Sequence, residues 1–437
     1  MTDFDRFRVL WPDHLGLARG KYLPARSAGR GTSFCVGVYQ QGYDKVINMV
    51  DVGIDPTGFP DLDATFDLAD ARPGWEPGTG VVVADLSFHD EPYPASSRHA
   101  LRRAVEAWEE RGFQVNIGIE LEAYLFEPDE AGGWRPLDTP NTYVYGTGPM
   151  ADPTGVIDEI MMTADACGFL VEAINSEFDT PQFELTLEYA PALESVDNIF
   201  LFKELAREIA YEHGLLLSFL GRPLPGRAGS GMHINFSLTA ADGSNAFWSP
   251  DRHDQLSTLA RQCIAGILKH HEGLTALMAP TVNAYKRLVP GELVGQWANW
   301  GYDHRCTAVR IPPHREAATR IEHRMADGAA SPYTAVAALL QAALLGVVGR
   351  LTCPSPETGD GMDEINTERR CPSNLDAACD ALVADEALVE AVGSSLVANF
   401  VAHKRIEWQN YVAAHPDWEQ QQDVFTDYER DTYLRFL

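Results

Sequence analysis

Four segments of this chain carry side chains suited to metal-dependent chemistry on anions. From Gln114 to Phe126, Val115, Ile117, Ile119 and Leu121 alternate with Asn116, Gly118, Glu120 and Glu122. That period of two predicts a strand with both carboxylates on one face. Their Cα atoms then stand about 6.6 to 7 Å apart, and like charges so placed on an otherwise apolar strand repel unless cations sit beside them. A second pair, Glu177 and Glu184, lies in Glu177-Phe178-Asp179-Thr180-Pro181-Gln182-Phe183-Glu184, and His233 ends Gly229-Ser230-Gly231-Met232-His233. Singly, each is more often a solvated carboxylate or a satisfied core histidine. Jointly they suit a divalent cluster, in which hard oxygen ligands favour Mg²⁺ and the one imidazole moves the balance toward Mn²⁺.

The fourth segment holds Arg287, Arg305, Arg310, Arg315, Arg320 and Arg324, with Glu322 between the last two. The whole chain carries 34 basic against 63 acidic residues, a net charge of −29. That excludes a nucleic-acid partner, because phosphate neutralisation needs the opposite sign. An acidic chain binds an anionic substrate only where metal ions or clustered arginines reverse the local sign. Guanidinium forks hold carboxylate and phosphate oxygens bidentately, so this window beside metal carboxylates points to phosphoryl transfer.

The elements that must position these groups follow from the pattern around them. The 437 residues suffice for two domains. The first ninety or so read as strands, at Arg8–Trp11, Ser33–Val38 and Gly80–Ala84, broken by Gly and Pro turns. A linker-like stretch from Phe88 to Ser97 gives way to a helical pattern from Leu101 to Arg111, with Ser97 as the expected N-cap. Beyond it come a strand from Val115 to Phe126, helices near Thr154–Cys167 and Ser195–His213, and strands near Leu215–Leu220 and His233–Leu238. Helices are then expected at Asp254–His271, at Pro332–Gly349 and after Leu375, with surface loops at Glu127–Asp152 and Cys353–Asn374. Seven cysteines without any C-x-x-C read as reduced, buried thiols. The segment Met1 to Asp5 shows no signal-peptide pattern, and the most apolar run, Ala335–Gly349, is too short for a membrane span and reads as a buried helix. A cytoplasmic protein with no membrane partner is expected.

In this order, the segments resemble the glutamine synthetase family, from Arg8 to Leu434. Ile119-Glu120-Leu121-Glu122 is similar to its E-x-E strand, Glu177 to Glu184 to its E-x-x-P-G-Q-x-E loop with Thr180-Pro181 where the family has P-G, and Gly229 to His233 to its G-S-G-M-H strand. Asn283-Ala284-Tyr285-Lys286-Arg287-Leu288 resembles N-S-Y-K-R-L, and Arg320-Ile321-Glu322-His323-Arg324 resembles R-I-E-x-R. The resemblance implies an α+β fold: a small N-terminal β-grasp domain, residues 1–96, then a glutamine synthetase-type α/β catalytic domain, 97–437, with a curved antiparallel sheet. It also implies ATP as co-substrate and two or three Mg²⁺ or Mn²⁺ ions. Glu122, Glu177 and Glu184 would hold the metal beside the acid substrate; Glu120, His233 and Glu322 would hold the one among the ATP phosphates. Tyr189, Ser237, Arg320 and Glu172 fall at nucleotide positions. Arg287 would grip the α-carboxylate of glutamate with the Gly229 backbone near its amino group, and Arg305, Arg310 and Arg324 would neutralise the transferring phosphoryl group. A homo-oligomer of stacked rings, commonly a dodecamer, is implied as well.

Departures from the family pattern lie on the substrate side. Ala228 stands where an Asn helps bind glutamate, Asn235 where a second His is usual, Leu293 where a flap Glu deprotonates ammonium, and Ala317 where a nucleotide-side Lys falls. Glu292 or Arg315 are candidate stand-ins for the last two, and no D-G-S motif is recognisable between Cys35 and Asp55. Lys404–Trp408 and Phe425–Glu429 are similar to the ends of members that ligate larger amines. The expectation is therefore an ATP-dependent ligase that joins glutamate, or a related acid, to an amine larger than ammonia through an acyl phosphate. The rivals are a true glutamine synthetase, with Asp51 or Asp55 as substitute base, and a catalytically silent homologue with a structural or regulatory role.

Overall fold

The computed structural model describes residues 4–140 and 142–437; Met1 to Asp3, part of the segment read for a leader, lie outside the described residues. The N-terminal strands form two four-stranded sheets among the described residues. In one, Arg6–Pro12 pairs antiparallel with Ala18–Pro24 and parallel with Thr79–Val83. Phe7, Val9 and Trp11 point into a small core with Phe34, Leu62, Val82 and Tyr93, while Leu10 belongs to the large core of the rest of the chain. This strand is buried on both faces, which explains why its sequence lacks alternation. The run expected as one strand from Ser33 to Val38 stops at Cys35 and turns into a 3₁₀ helix, Val36–Gln40, with the Gly37 N–H donating to Cys35 Sγ at 3.3 Å.

Helix Ser97–Glu109 starts one residue earlier than its expected cap allows. Ser96 is the N-cap, its Oγ accepting from the His99 N–H, and the Ser97 hydroxyl makes no hydrogen bond. The helix packs its Leu101, Ala104 and Trp108 face inward, with Trp108 Nε1 donating to Leu340 O at 3.2 Å. That acceptor lies on Pro332–Val348, the apolar run, which is a helix buried along nearly its whole length. Among the described residues, no helix is long and apolar enough to cross a membrane. Its neighbour, expected from Asp254, begins only at Thr258, because Ser257 caps it and Leu256 is held in a bridge to Trp248. The two helices touch through Gly266 and Gly346: a Cβ on either would stand 2.2 or 2.1 Å from a carbonyl oxygen of the other helix.

These helices back a sheet of ten strands among the described residues, in the order Val171–Ser176, Gln182–Leu187, Phe113–Pro128, Met232–Ala240, Ile321–His323, Val309–Ile311 and Trp300–Tyr302, with three short strands on the side of Phe113–Pro128. All pairs are antiparallel except Trp300–Tyr302 with Val309–Ile311. The result is a mixed α/β fold. Two pieces read as loop are strand: Gln182–Leu187, which carries Glu184, and Trp134–Pro136 within the expected 127–152 loop. Gln182–Leu187 does alternate, with Phe183, Leu185 and Leu187 apolar, whereas Trp134–Pro136 is too short to show a period.

Candidate active site

Register brings the chemistry onto one face. Glu184 pairs with Glu122; Glu120 pairs with Thr186 on one side and His233 on the other; Asn235 pairs with Glu322, which pairs with Arg310. Directly opposed residues in antiparallel strands project to the same side. Five neighbouring strands therefore place three carboxylates, an imidazole, a fourth carboxylate and a guanidinium in a row. Ligand atoms of Glu120, His233 and Glu322 lie within 4.8 Å of one another, as do those of Glu122, Glu184 and His233. This set of carboxylate oxygens with one imidazole fits hard divalent cations. His233 faces both groups, with Nδ1 3.2 Å from Glu120 Oε2 and Nε2 3.9 Å from Glu122 Oε1.

Glu177 is not among the ligand atoms that lie within 4.8 Å of one another, though it lines the same cleft as Glu120 and Glu184. It lies in the turn before Gln182–Leu187, its backbone N–H donating to Gln182 O at 2.8 Å and its Oε2 accepting from the Phe178 N–H at 2.9 Å. Burial first, then the charge of Glu122, raises its pKa. Glu184 is raised further, to about 8, by burial and by Glu120, Glu177 and Glu122. Burial pushes Glu120 the same way, but hydrogen bonds from His233 and Asn235 and the nearby Arg324 outweigh it and hold its pKa low.

The arginines surround the same floor. Glu322, 1% exposed, accepts from Arg310 Nη1 at 2.7 Å and from Arg324 Nη1. Arg310 also donates to Asp303 at 2.6 Å. Glu120, Glu177 and Glu184 open into a cleft of about 650 Å³ that Arg305 and Arg310 border, a volume in the range of small-ligand sites. All four residues expected at nucleotide positions, Tyr189, Ser237, Arg320 and Glu172, line this cleft, and so does Ala317. Tyr189 packs its Cβ against Gly118, which leaves the ring 73% exposed along one wall.

On the other side, Arg287 is 2% exposed; its Nη1 and Nη2 donate to the carbonyls of Met325 and Arg324, and its Nε has no partner. Gly229 must be glycine here, since a Cβ would stand 2.6 Å from Arg287 Cγ and 2.8 Å from Gly221 O. The two candidate stand-ins have partners of their own. Glu292 pairs with Arg222 at 3.5 Å, while Arg315 donates to the carbonyls of Asp254, Pro312 and His314 and does not line the cleft. Asp51 and Asp55 accept from the N–H groups of Gly53 and Thr57 in local turns.

Three contributors, Gln182, Asp303 and Tyr124, were not singled out in the sequence, and Asn235 was read there only as the residue in place of a second His. Asn235 accepts from Arg320 Nε and donates to Glu120, both at 3.0 Å, bridging cleft and metal cluster. Gln182 Nε2 donates to Gly229 O at 3.0 Å and Asp303 partners Arg310. Tyr124, whose O–H donates to Ala228 O at 2.8 Å, shares the parity of Glu120 and Glu122, a signal the alternation already contained.

A carboxylate cluster able to hold two cations, beside a nucleotide-sized cleft with arginines at its rim, is the equipment of an ATP-dependent ligase. The comparisons agree: residues 94–422 match the family described as glutamine synthetase, catalytic domain. The glutamine synthetase of Methanosarcina mazei is 32% identical over 431 residues, covering 95% of this chain and 94% of that one. Two solved structures superimpose over nearly everything: GmaS without ligand, with TM-score 0.83, 30% identity and 96% of both chains, and a GmaS/ADP complex, with TM-score 0.84, 29% identity and 97% of both. The chain belongs to the glutamine synthetase family and is an ATP-dependent C–N ligase.

Proposed function

We propose that this ligase joins glutamate, or a related acid, to an amine larger than ammonia, forming a γ-glutamyl amide. The observation that carries the reading is Leu293. It stands where the family resemblance puts the ammonium-deprotonating carboxylate, it is 46% exposed, and its neighbour Glu292 is engaged by Arg222. An apolar side chain there neither draws a proton from ammonium nor repels the carbon body of an amine. The likeness to GmaS along the whole chain supports the same choice.

A carboxylate acylates poorly because oxide would have to leave. The acid's γ-carboxylate therefore attacks the γ-phosphorus of ATP, ADP departs, and the amine displaces phosphate from the acyl phosphate. Glu122, Glu177 and Glu184 on one side, and Glu120, His233 and Glu322 on the other, would hold divalent ions, Mg²⁺ or Mn²⁺, which when bound neutralise the crowded oxygens. Tyr189 offers a stacking face to the base, with Ser237, Arg320 and Glu172 around the nucleotide. Arg305, Arg310 and Arg324 spread the charge of the phosphoryl group in flight, and Arg287 with Gly229 holds the acid. We assign residues 1–96 to an N-terminal β-grasp domain and 97–437 to the catalytic domain, in a cytoplasmic ring assembly.

Ammonia as nucleophile is the second reading, favoured by relatives named glutamine synthetase. ADP release with glutamate against ammonia, alkylamines, amino alcohols and polyamines decides between them. Turnover with an amine and little with ammonia is expected; preference for ammonia at low millimolar concentration overturns the proposal, and silence with every amine despite bound ATP and metal indicates a non-catalytic homologue.

A further inference from the structure

The tail motif Phe425–Glu429 has no part in the reaction as described, yet it is built into the acid side of the site. Glu429 is fully buried. Its Oε2 accepts from Lys286 Nζ at 2.6 Å and from the Thr426 N–H and O–H at 2.8 and 2.7 Å, and its Oε1 accepts from Asn283 Nδ2 at 2.8 Å. Lys286 Nζ donates also to Val424 O at 2.6 Å. Asn283 caps and Lys286 lies within the one-turn helix Ala284–Arg287, which ends in the arginine assigned to the acid's carboxylate.

The same tail reaches two more substrate-side pieces. Asn283 exchanges hydrogen bonds with the Arg222 backbone, accepting from its N–H at 2.6 Å and donating to its carbonyl at 2.9 Å. Arg222 in turn donates to Lys286 O at 2.7 Å and pairs with Glu292, next to Leu293. Asp423 Oδ1 accepts from the Gly226 N–H at 3.0 Å, three residues before Gly229. By contrast, none of residues 423–437 lines the nucleotide cleft.

A one-turn helix has too few internal hydrogen bonds to hold its own orientation, and a buried carboxylate saturated by Lys, Asn and Thr is a rigid anchor. We propose that Glu429 is a positioning residue for the acid substrate: it fixes the Asn283–Arg287 turn and, through Arg222, the Glu292–Leu293 segment, while leaving the nucleotide cleft independent. This rests on the reading of Arg287 as the acid-binding arginine.

The test measures L-glutamate affinity in the presence of Mg²⁺ and a non-hydrolysable ATP analogue, and the affinity of that analogue alone, both by calorimetry on the full-length protein. Glu429→Gln keeps shape but leaves an amide facing Lys286. It should weaken glutamate roughly tenfold with analogue affinity kept within about twofold. If Glu429→Gln does not fold, Thr426→Val, which removes one donor to the Glu429 carboxylate and the hydroxyl that accepts from the Glu429 N–H, carries the same expectation at smaller size. Equal weakening of both ligands, or no change in a folded variant, overturns the proposal. Arg287→Lys separates the two layers. If it weakens glutamate while the Glu429 and Thr426 variants are silent, this proposal alone falls; if it is silent, or the unaltered protein binds no glutamate, the reading of the acid site falls first and takes the proposal with it.

Discussion

Glu120 and Glu184 flank Glu122 in the same cluster and are driven in opposite directions: Glu184 up to about 8, with burial the largest cause, and Glu120 downward by its bonds to His233 and Asn235. A carboxylate that stays ionised beside one that holds a proton is what repulsion within a buried acidic cluster produces. Cation binding has to reverse the second.

That sets a proton count. At pH 7 a carboxyl titrating at about 8 is roughly nine-tenths protonated, so Mn²⁺ binding to metal-free protein should release about one proton. Calorimetry in two buffers of different ionisation enthalpy measures it, and zero release at pH 7 would refute the assignment. The stability consequence has a definite sign. Glu184 is raised in the folded state, so its contribution is complete below the unfolded pKa near 4.5 and is lost as pH rises through about 8. Metal-free protein should therefore lose melting temperature between those limits more steeply than Glu184→Gln.

Glu322→Ala should abolish turnover and one metal site, and also destabilise the fold. Arg310 and Arg324 both bond to this carboxylate; Arg310 keeps Asp303, whereas the buried Arg324 loses its carboxylate partner, and breaking such a buried pair costs about 3 to 5 kcal/mol. Denaturant unfolding of metal-free Glu322→Ala and Glu322→Gln checks the difference, with the amide expected to recover part of it. Turnover retained with normal metal affinity would contradict the site.

Gly229→Ala should act on the acid side alone. The added methyl meets Arg287 Cγ and Gly221 O below 3 Å, and such overpacking costs about 1 to 3 kcal/mol. The KM for glutamate should rise far more than that for ATP; equal increases would mean that Gly229 and Arg287 do not belong to one subsite.

Tyr189→Ala should raise the KM for ATP by the loss of about 1 to 3 kcal/mol of stacking, whereas Tyr189→Phe should differ little. Because the ring is 73% exposed, the melting temperature should hardly move. An unchanged KM in Tyr189→Ala would remove the residue from the nucleotide site.

The long Phe113–Pro128 strand was legible because its residues from Val115 to Glu122 alternate plainly. Gln182–Leu187 alternates as well, with Phe183, Leu185 and Leu187 apolar, so its strand was already in the sequence; Ile321–His323 has three residues, too few for a period, and its pairing depends on neighbours supplied from elsewhere in the chain. The helix starting at Ser97 was displaced by one because both Ser96 and Ser97 are competent caps, and only the backbone geometry selects between them.

Residue types and local periods by themselves determined the chemistry: which side chains can ligate cations, which can neutralise phosphate, and that Glu120 and Glu122 share a face. Tertiary structure alone decided their company. It grouped His233 with both carboxylate sets, gave Glu292 to Arg222, and anchored the Arg287 turn on a glutamate 142 positions later in the chain. Side-chain type is a property of one position, whereas a contact depends on sheet register and on the competition of every nearby charge, which local sequence does not carry.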